Sequence, residues 1–493
     1  MPGSGIARAP RWSTRWATTG VAAGVAAACI GAAAAAPARA TPAAATPAAA
    51  APARPTPAPA TPGQASPTPA VTPPPTARFA PTVRADPHGF PAGAAHTGGS
   101  VVFDCQKPSA GVETCYGPDQ IRTAYKIQPL LDRGITGAGR RIVIVAAFAP
   151  PSVAADLHRF DSVFHLPDPH LQIVAPQGAV WDPSDVNQRS WADEIDIDVQ
   201  WSHVVAPHAK IVLVEARSDS DPDIAAAVSY AVQQRLGDVI SQSFGVDERC
   251  MSPQARASLS ASYRAAQAAG ITVVAATGDL GAAQFVCDVT SNDLRKGVSF
   301  PASDPRVLAV GGTQLHADLS SGAYRSEITW NDGGDASASA TGGGYSTVFG
   351  RPDYQDGTVA RHARGVPDVA YSSAPKGVIY WGQDGAGGGF YAFYGTSVAV
   401  PQWSGLVALG AQLARHRLGL VNPTIYRAAR STRSAELFHD VRVGNNTVHY
   451  VDDCGVVKTV RGYRARTGWD AATGVGSPIA GALVPLLAAA TER

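Results

Sequence analysis

The 493-residue chain sets 40 lysines and arginines against 39 acidic side chains, so bulk charge gives no reason to expect a nucleic-acid partner. Its length allows one large domain or two to three ordinary ones. Composition changes sharply along the chain, and the changes mark its parts.

Residues 1–36 read as a targeting segment. Arg8, Arg11 and Arg15 make a basic start, and an uncharged Ala-rich stretch follows from Trp16 to Ala38. Small residues offer cleavage points near Ala36 or Ala40, the pattern of a secretory signal. An uncleaved N-terminal anchor is the competing reading, because the stretch is about long enough to span a bilayer. From residue 37 to about 99 the chain is dominated by alanine, proline and threonine. It has too few large apolar residues to bury a core, and its prolines favour an extended spacer. Folded structure is expected over 100–493.

Five cysteines follow the targeting segment: Cys105, Cys115, Cys250, Cys287 and Cys454. An oxidising compartment permits disulfides. Cys105 and Cys115 close a short loop and pair most readily. Cys250–Cys287 is the next pairing, which leaves Cys454 over. No CxxC pair has zinc-like spacing.

Within 100–493, short apolar runs alternate with helical patterns. Arg140–Phe148, Ala209–Ala216, Asp238–Gly245, Gly270–Asp279 and Val307–Thr313 read as buried strands. Trp191–His203, Asp223–Leu236 and Ser252–Gly270 read as helices. This alternation indicates a mostly parallel α/β sheet. Ligands of such sheets bind at the carboxyl ends of the strands.

Ser397 stands where a long helical pattern begins, after Gly395 and Thr396 and before Pro401. It is either a helix cap or a nucleophile, and a nucleophile needs a base. None of the 12 histidines has a convincing triad setting, and the first strand ends in Ala147 and Phe148 without an aspartate. Carboxylates are the remaining source. On the Trp191–His203 helix, Glu194 and Asp198 are four residues apart and share a face. Spacing alone fits a solvated acidic helix as well. Asp279 lies in a Gly-flanked turn after a strand, where aspartate also occurs for ordinary reasons.

Taken together, GTSVAVP (395–401), EIDIDVQW (194–201) and ATGDLG (276–281) resemble motifs of the sedolisin family of serine-carboxyl peptidases. FPASDPRVLAVGGTQL, GGGYSTVFGRPDYQ and RGVPDVAY are similar to further family segments, so the likeness runs from about Tyr116 to Pro485. It implies a subtilisin-like fold, a mostly parallel sheet flanked by helices on both faces. It implies Ser397 as nucleophile, Glu194 as general base, Asp198 as the group orienting Glu194, and Asp279 as a protonated donor to the oxyanion. Two carboxylic acids in these roles imply acidic operation. Pro401 then costs little, in a first turn whose N–H groups lack partners. No G-x-S-x-G elbow surrounds Ser397, against an α/β-hydrolase.

The same resemblance implies one structural calcium ion. Its ligands would be the side chains of Asp440 and Asp470 and the carbonyls of Val441, Arg466 and Gly468, with Arg466 standing where the family often has glycine. Two departures are visible. The long folded prosegment usual in the family has no counterpart in the Ala/Pro/Thr stretch. Phe244 replaces a tryptophan common in the substrate-lining S-x-S-W-G segment, a change expected to alter a subsite. The expected protein is a secreted or cell-surface endopeptidase, a monomer acting on peptides or proteins. It would touch a membrane only through an uncleaved N-terminal segment. The alternative is a catalytically silent relative that binds peptides or cell-surface polymer.

Overall fold

The computed structural model describes residues 78–490 except 82, 86–94, 98–99, 107–113, 179, 289, 334–337, 375 and 382–388. The targeting segment and most of the spacer therefore lie outside the described residues. At the centre are nine strands in chain order. These are β1 (Arg141–Ala147), β2 (Leu171–Val174), β3 (Lys210–Ala216), β4 (Val239–Gln242), β5 (Phe244–Asp247), β6 (Thr272–Ala276), β7 (Leu308–Ala317), β8 (Tyr324–Thr329) and β9 (Val369–Ala374). All but β5 form one sheet, in the order β8–β7–β6–β4–β1–β3–β2, with β9 also paired to β7. Only the β7–β8 pairing is antiparallel. Strands covered on both faces read as unbroken apolar runs. Ile142 to Ala147 of β1 are indeed all at 0% exposure.

Helices cover both faces. α1 (Val153–Phe164), α2 (Val186–Val205) and α5 (Thr396–Ala414) pack together on one face, and α3 (Asp221–Gln233) packs against α4 (Pro253–Ala268) on the other. Among the described residues, no helix is long and apolar enough to cross a membrane. The expected strands and helices are present with ends shifted by a few residues. The one structural change is in Asp238–Gly245, read as a single strand. It breaks at Ser243 into β4, which stays in the sheet, and β5, which leaves it to pair antiparallel with Ala80–Pro81 and Ser299–Phe300.

Two further corrections bear on the site. Arg78 bridges Ser220 and Ala80–Pro81 pair with β5, so described structure begins before residue 100. Phe79 is 1% exposed, and that one aromatic ring gives its segment the apolar anchor the Ala/Pro/Thr stretch otherwise lacks. Cys105–Cys115 and Cys250–Cys287 are bonded as expected, but Cys454 is disulfide-bonded too rather than left over.

Candidate active site

Three chain segments meet at the carboxyl ends of the parallel strands. The first is α2. Asp185 caps it, its Oδ1 accepting the Asn187 N–H at 2.8 Å, a satisfied N-terminus of the ordinary kind. The helix then runs between the sheet and α5, and every side chain from Trp191 to Val205 is buried. Solvated acidic residues are therefore not what the spacing of Glu194 and Asp198 records. Glu194 is 1% exposed and Asp198 0%.

The second segment is the start of α5. Strand β10 (Gly389–Gly395) ends at Gly395, whose φ of +137° is open to glycine and strained for other residues. That turn delivers Thr396 and Ser397 as the first two helical residues. Ser397 Oγ donates to Glu194 Oε2 at 2.8 Å and is 3.4 Å from the carbonyl oxygen of Ser243. Pro401 is the sixth residue of α5, not part of its first turn. Lacking an N–H, it cannot donate the bond that the Ser397 carbonyl would accept in an uninterrupted helix. The expectation that this proline costs little is corrected accordingly.

The third segment is the turn after β6. Asp279 Oδ1 accepts from the Thr396 N–H at 2.9 Å and from Thr396 Oγ1 at 2.8 Å. Gly278 N–H donates to that same hydroxyl at 3.2 Å. Asp279 is thus fastened to the residue next to Ser397 and is 6% exposed.

Ser243 was not singled out by sequence. It sits at the break between β4 and β5, and its Oγ donates to Asp198 Oδ1 at 2.5 Å. One residue therefore contacts Asp198 through its side chain and Ser397 through its carbonyl. Burial pushes the Asp198 carboxyl up to about 8, against the Ser243 hydrogen bond, which draws it down. The visible signal was SQSFG at the end of a strand, read only for Phe244. That phenylalanine is buried beside Trp191, with ring centroids 5.7 Å apart.

Away from this cleft, Asp440 lies against Gly468 and Asp470 against Arg466, four of the five expected cation-binding residues. Asp440 Oδ1 accepts the Gly468 N–H at 3.1 Å, and Asp470 Oδ2 accepts the Arg466 N–H at 3.0 Å. The 466–470 loop is thus held by both carboxylates. Asp470 is 1% exposed, and burial pushes its carboxyl up to about 6 against hydrogen bonds from the Ala472, Arg466 and Thr473 N–H groups. The Arg466 guanidinium turns towards the Trp469 carbonyl, Nε to O 3.4 Å. Asp440 Oδ2 pairs with Arg442 Nε at 2.8 Å. Among the described residues there is no group of three or more His, Cys, Asp or Glu side chains that could hold a metal ion. A cation here would depend on carbonyls, and an all-oxygen set of carboxylates and carbonyls fits calcium.

A parallel α/β sheet with a serine at a helix start and a buried carboxylate on its hydroxyl defines a class of hydrolase fold. A family model described as the subtilase family of peptidases matches residues 190–451, just over half of the chain. Kumamolisin from Bacillus sp. (strain MN-32) is 32% identical over 391 residues, covering 76% of this chain and 64% of that protein. Sedolisin from Pseudomonas sp. (strain 101) is 30% identical over 384 residues, covering 75% and 60%. The solved structure of Pseudomonas sedolisin, complexed with two molecules of pseudo-iodotyrostatin, matches with a TM-score of 0.62 and 29% identity. That match covers 76% of this chain and 98% of the solved one. The chain belongs to the subtilase family and, within it, to the sedolisins, the serine-carboxyl peptidases. It spans less than two thirds of the length of the curated relatives it matches.

Proposed function

We propose that the protein is a secreted serine-carboxyl endopeptidase that hydrolyses peptide bonds at acidic pH. The observation that carries this reading is the 2.8 Å hydrogen bond from Ser397 Oγ to Glu194 Oε2. That distance is within the reach a general base needs. In the proposed reaction Glu194 takes the hydroxyl proton as Oγ attacks the substrate carbonyl, and returns it to the leaving amine. Asp198, buried one turn further along α2, positions Glu194 and is itself held by Ser243. Burial raises the proton affinity of Asp198, so this pair works best where one acid is protonated.

Asp279 has the opposite task. A carboxylate can donate to a developing oxyanion only when protonated. Its Oδ1 already accepts twice from Thr396, so the proton belongs on Oδ2. The first-turn N–H groups of α5 add partial positive charge beside it. Disulfides such as Cys105–Cys115 and Cys250–Cys287 support secretion, because such bonds persist in oxidising compartments.

Calcium would be held by Asp440 and Asp470 with the carbonyls of Val441, Arg466 and Gly468, and would supply a structural clamp between two loops. Glu194→Gln tests the base. The amide keeps the shape of the side chain but cannot take a proton, so peptide cleavage should fall by roughly 10²–10⁴-fold with an unchanged melting curve. Full activity in that variant would reject the assignment. Cutting of N-acetylated peptides would distinguish endopeptidase from aminopeptidase-like action.

A further inference from the structure

Two short stretches of the chain's own N-terminal segment pair with the strands that lead away from Ser243 and into Ser397. Ala80 and Pro81 pair antiparallel with Gly245 and Phe244 of β5. Val83, Arg84 and Ala85 pair antiparallel with Gly395, Tyr394 and Phe393 of β10. The first partner follows Ser243, whose carbonyl faces Ser397 Oγ. The second ends two residues before Ser397. Residues up to Pro81 thus lie along the strand that follows Ser243, and residues from Val83 onward along the strand that leads into Ser397. The β-pairing on both sides is the way a cleft binds an extended peptide without reading its side chains.

Two upstream side chains do meet built pockets. Phe79 is 1% exposed and sets its ring edge-on to Phe244 at 5.2 Å, with Trp191 behind. The Phe79 N–H donates to the Asp219 carbonyl at 2.8 Å. Arg78 Nη1 reaches Asp219 Oδ1 at 3.0 Å. The other oxygen of Asp219 accepts from Asn187 Nδ2 at 3.0 Å. Asp219 belongs to the cleft wall and is 3% exposed, whereas the Arg78 side chain is 65% exposed. The carboxylate is thus fixed by the wall and offered to whatever cation the bound peptide brings.

We propose that Asp219 and the Phe244–Trp191 wall are two specificity subsites, selecting peptides with a basic residue followed by an aromatic one upstream of the cut. Arg78 and Phe79 fill them in the resting chain, as a tethered peptide of the preferred sequence. The proposal rests on the peptidase reading and names the substrate class for it. Binding can be measured without cleavage, which separates the two. The full chain carrying Ser397→Ala is titrated with a fluorescein-labelled peptide, Arg-Phe-Ala-Pro-Thr-Val-Arg-Ala, read by anisotropy at mildly acidic pH. Replacing the peptide's phenylalanine by alanine should weaken binding by roughly 10- to 100-fold, the loss of a buried aromatic contact. Replacing its first arginine by glutamate should weaken it by about five-fold, since the pair is open to solvent.

Asp219→Asn should remove the arginine–glutamate difference and leave the phenylalanine effect intact. Adding Phe79→Ala to the chain should tighten binding of the unaltered peptide, because the internal competitor is weakened, and Phe79→Tyr should not. Equal affinity for all three peptides, or no response to Phe79→Ala, would overturn the subsites even if casein is still digested. Conversely, a Glu194→Gln chain that digests casein normally would sink the base assignment while leaving a measured peptide preference standing.

Discussion

Asp279 and Thr396 make a contact that decides what pH can do at this site. With Oδ1 of Asp279 occupied by two donors from Thr396, donation to an oxyanion requires a proton on the other oxygen. Asp279→Ala should lower kcat by roughly 10²–10³-fold, the usual cost of one oxyanion donor. Asp279→Asn donates without a proton and should retain more activity, with the upper limb of the pH profile moved upward. An alanine variant close to wild type in kcat would remove Asp279 from the mechanism. Motif order points to Ser397, Glu194 and Asp279, and the structure joins Ser397 to Glu194 and Asp279 to Thr396 beside it. Motif order does not point to Ser243, because its role arises from a strand break that brings residue 243 against residues 198 and 397. No local pattern encodes that meeting.

At the scale of elements, α2 and the 466–470 loop differ in what the sequence reveals. The length of α2 and the shared face of Glu194 and Asp198 follow from helical spacing. Its burial does not, since Asp193, Glu194, Asp196 and Asp198 read as a solvated face until α5 and the sheet are set around them. Pro401 shows the same limit, because only the observed start of α5 at Thr396 puts it beyond the first turn. The two loops carrying Asp440 and Asp470 are predicted to need a shared cation. Chelation should lower Tm, and added calcium restore it, because a ligand that binds only the folded state stabilises it by mass action. Identical melting curves with and without chelator would count against the site.

The whole molecule carries an unusual store of buried acids. Burial pushes Asp193 and Asp198 to about 8 and Glu215 to about 7, and raises Asp196 well above its usual range. A folded-state pKa above the unfolded value means that the native state binds the extra protons. Stability from these groups is therefore complete below about pH 4 and is lost as pH rises through 7 to 8. His203 and His439, each pushed down to about 4 by burial, act in the opposite sense below about pH 6.5, but they are fewer. Aspartates with lowered values, such as the half-buried Asp318 beside Ser320, Ser321 and Arg325, lose their contribution only at stronger acidity. Tm should therefore be higher near pH 4–5 than near pH 8, and calorimetry across that range with calcium held constant checks it. A higher Tm at the alkaline end would contradict the burial described.

Because α2 offers solvent no face from Trp191 to Val205, its backbone cannot open without the elements packed around it. Amide exchange along those residues should track global unfolding rather than local fraying. Heat should then extinguish catalysis and melt the tertiary structure at the same temperature, with no folded but inactive species in between.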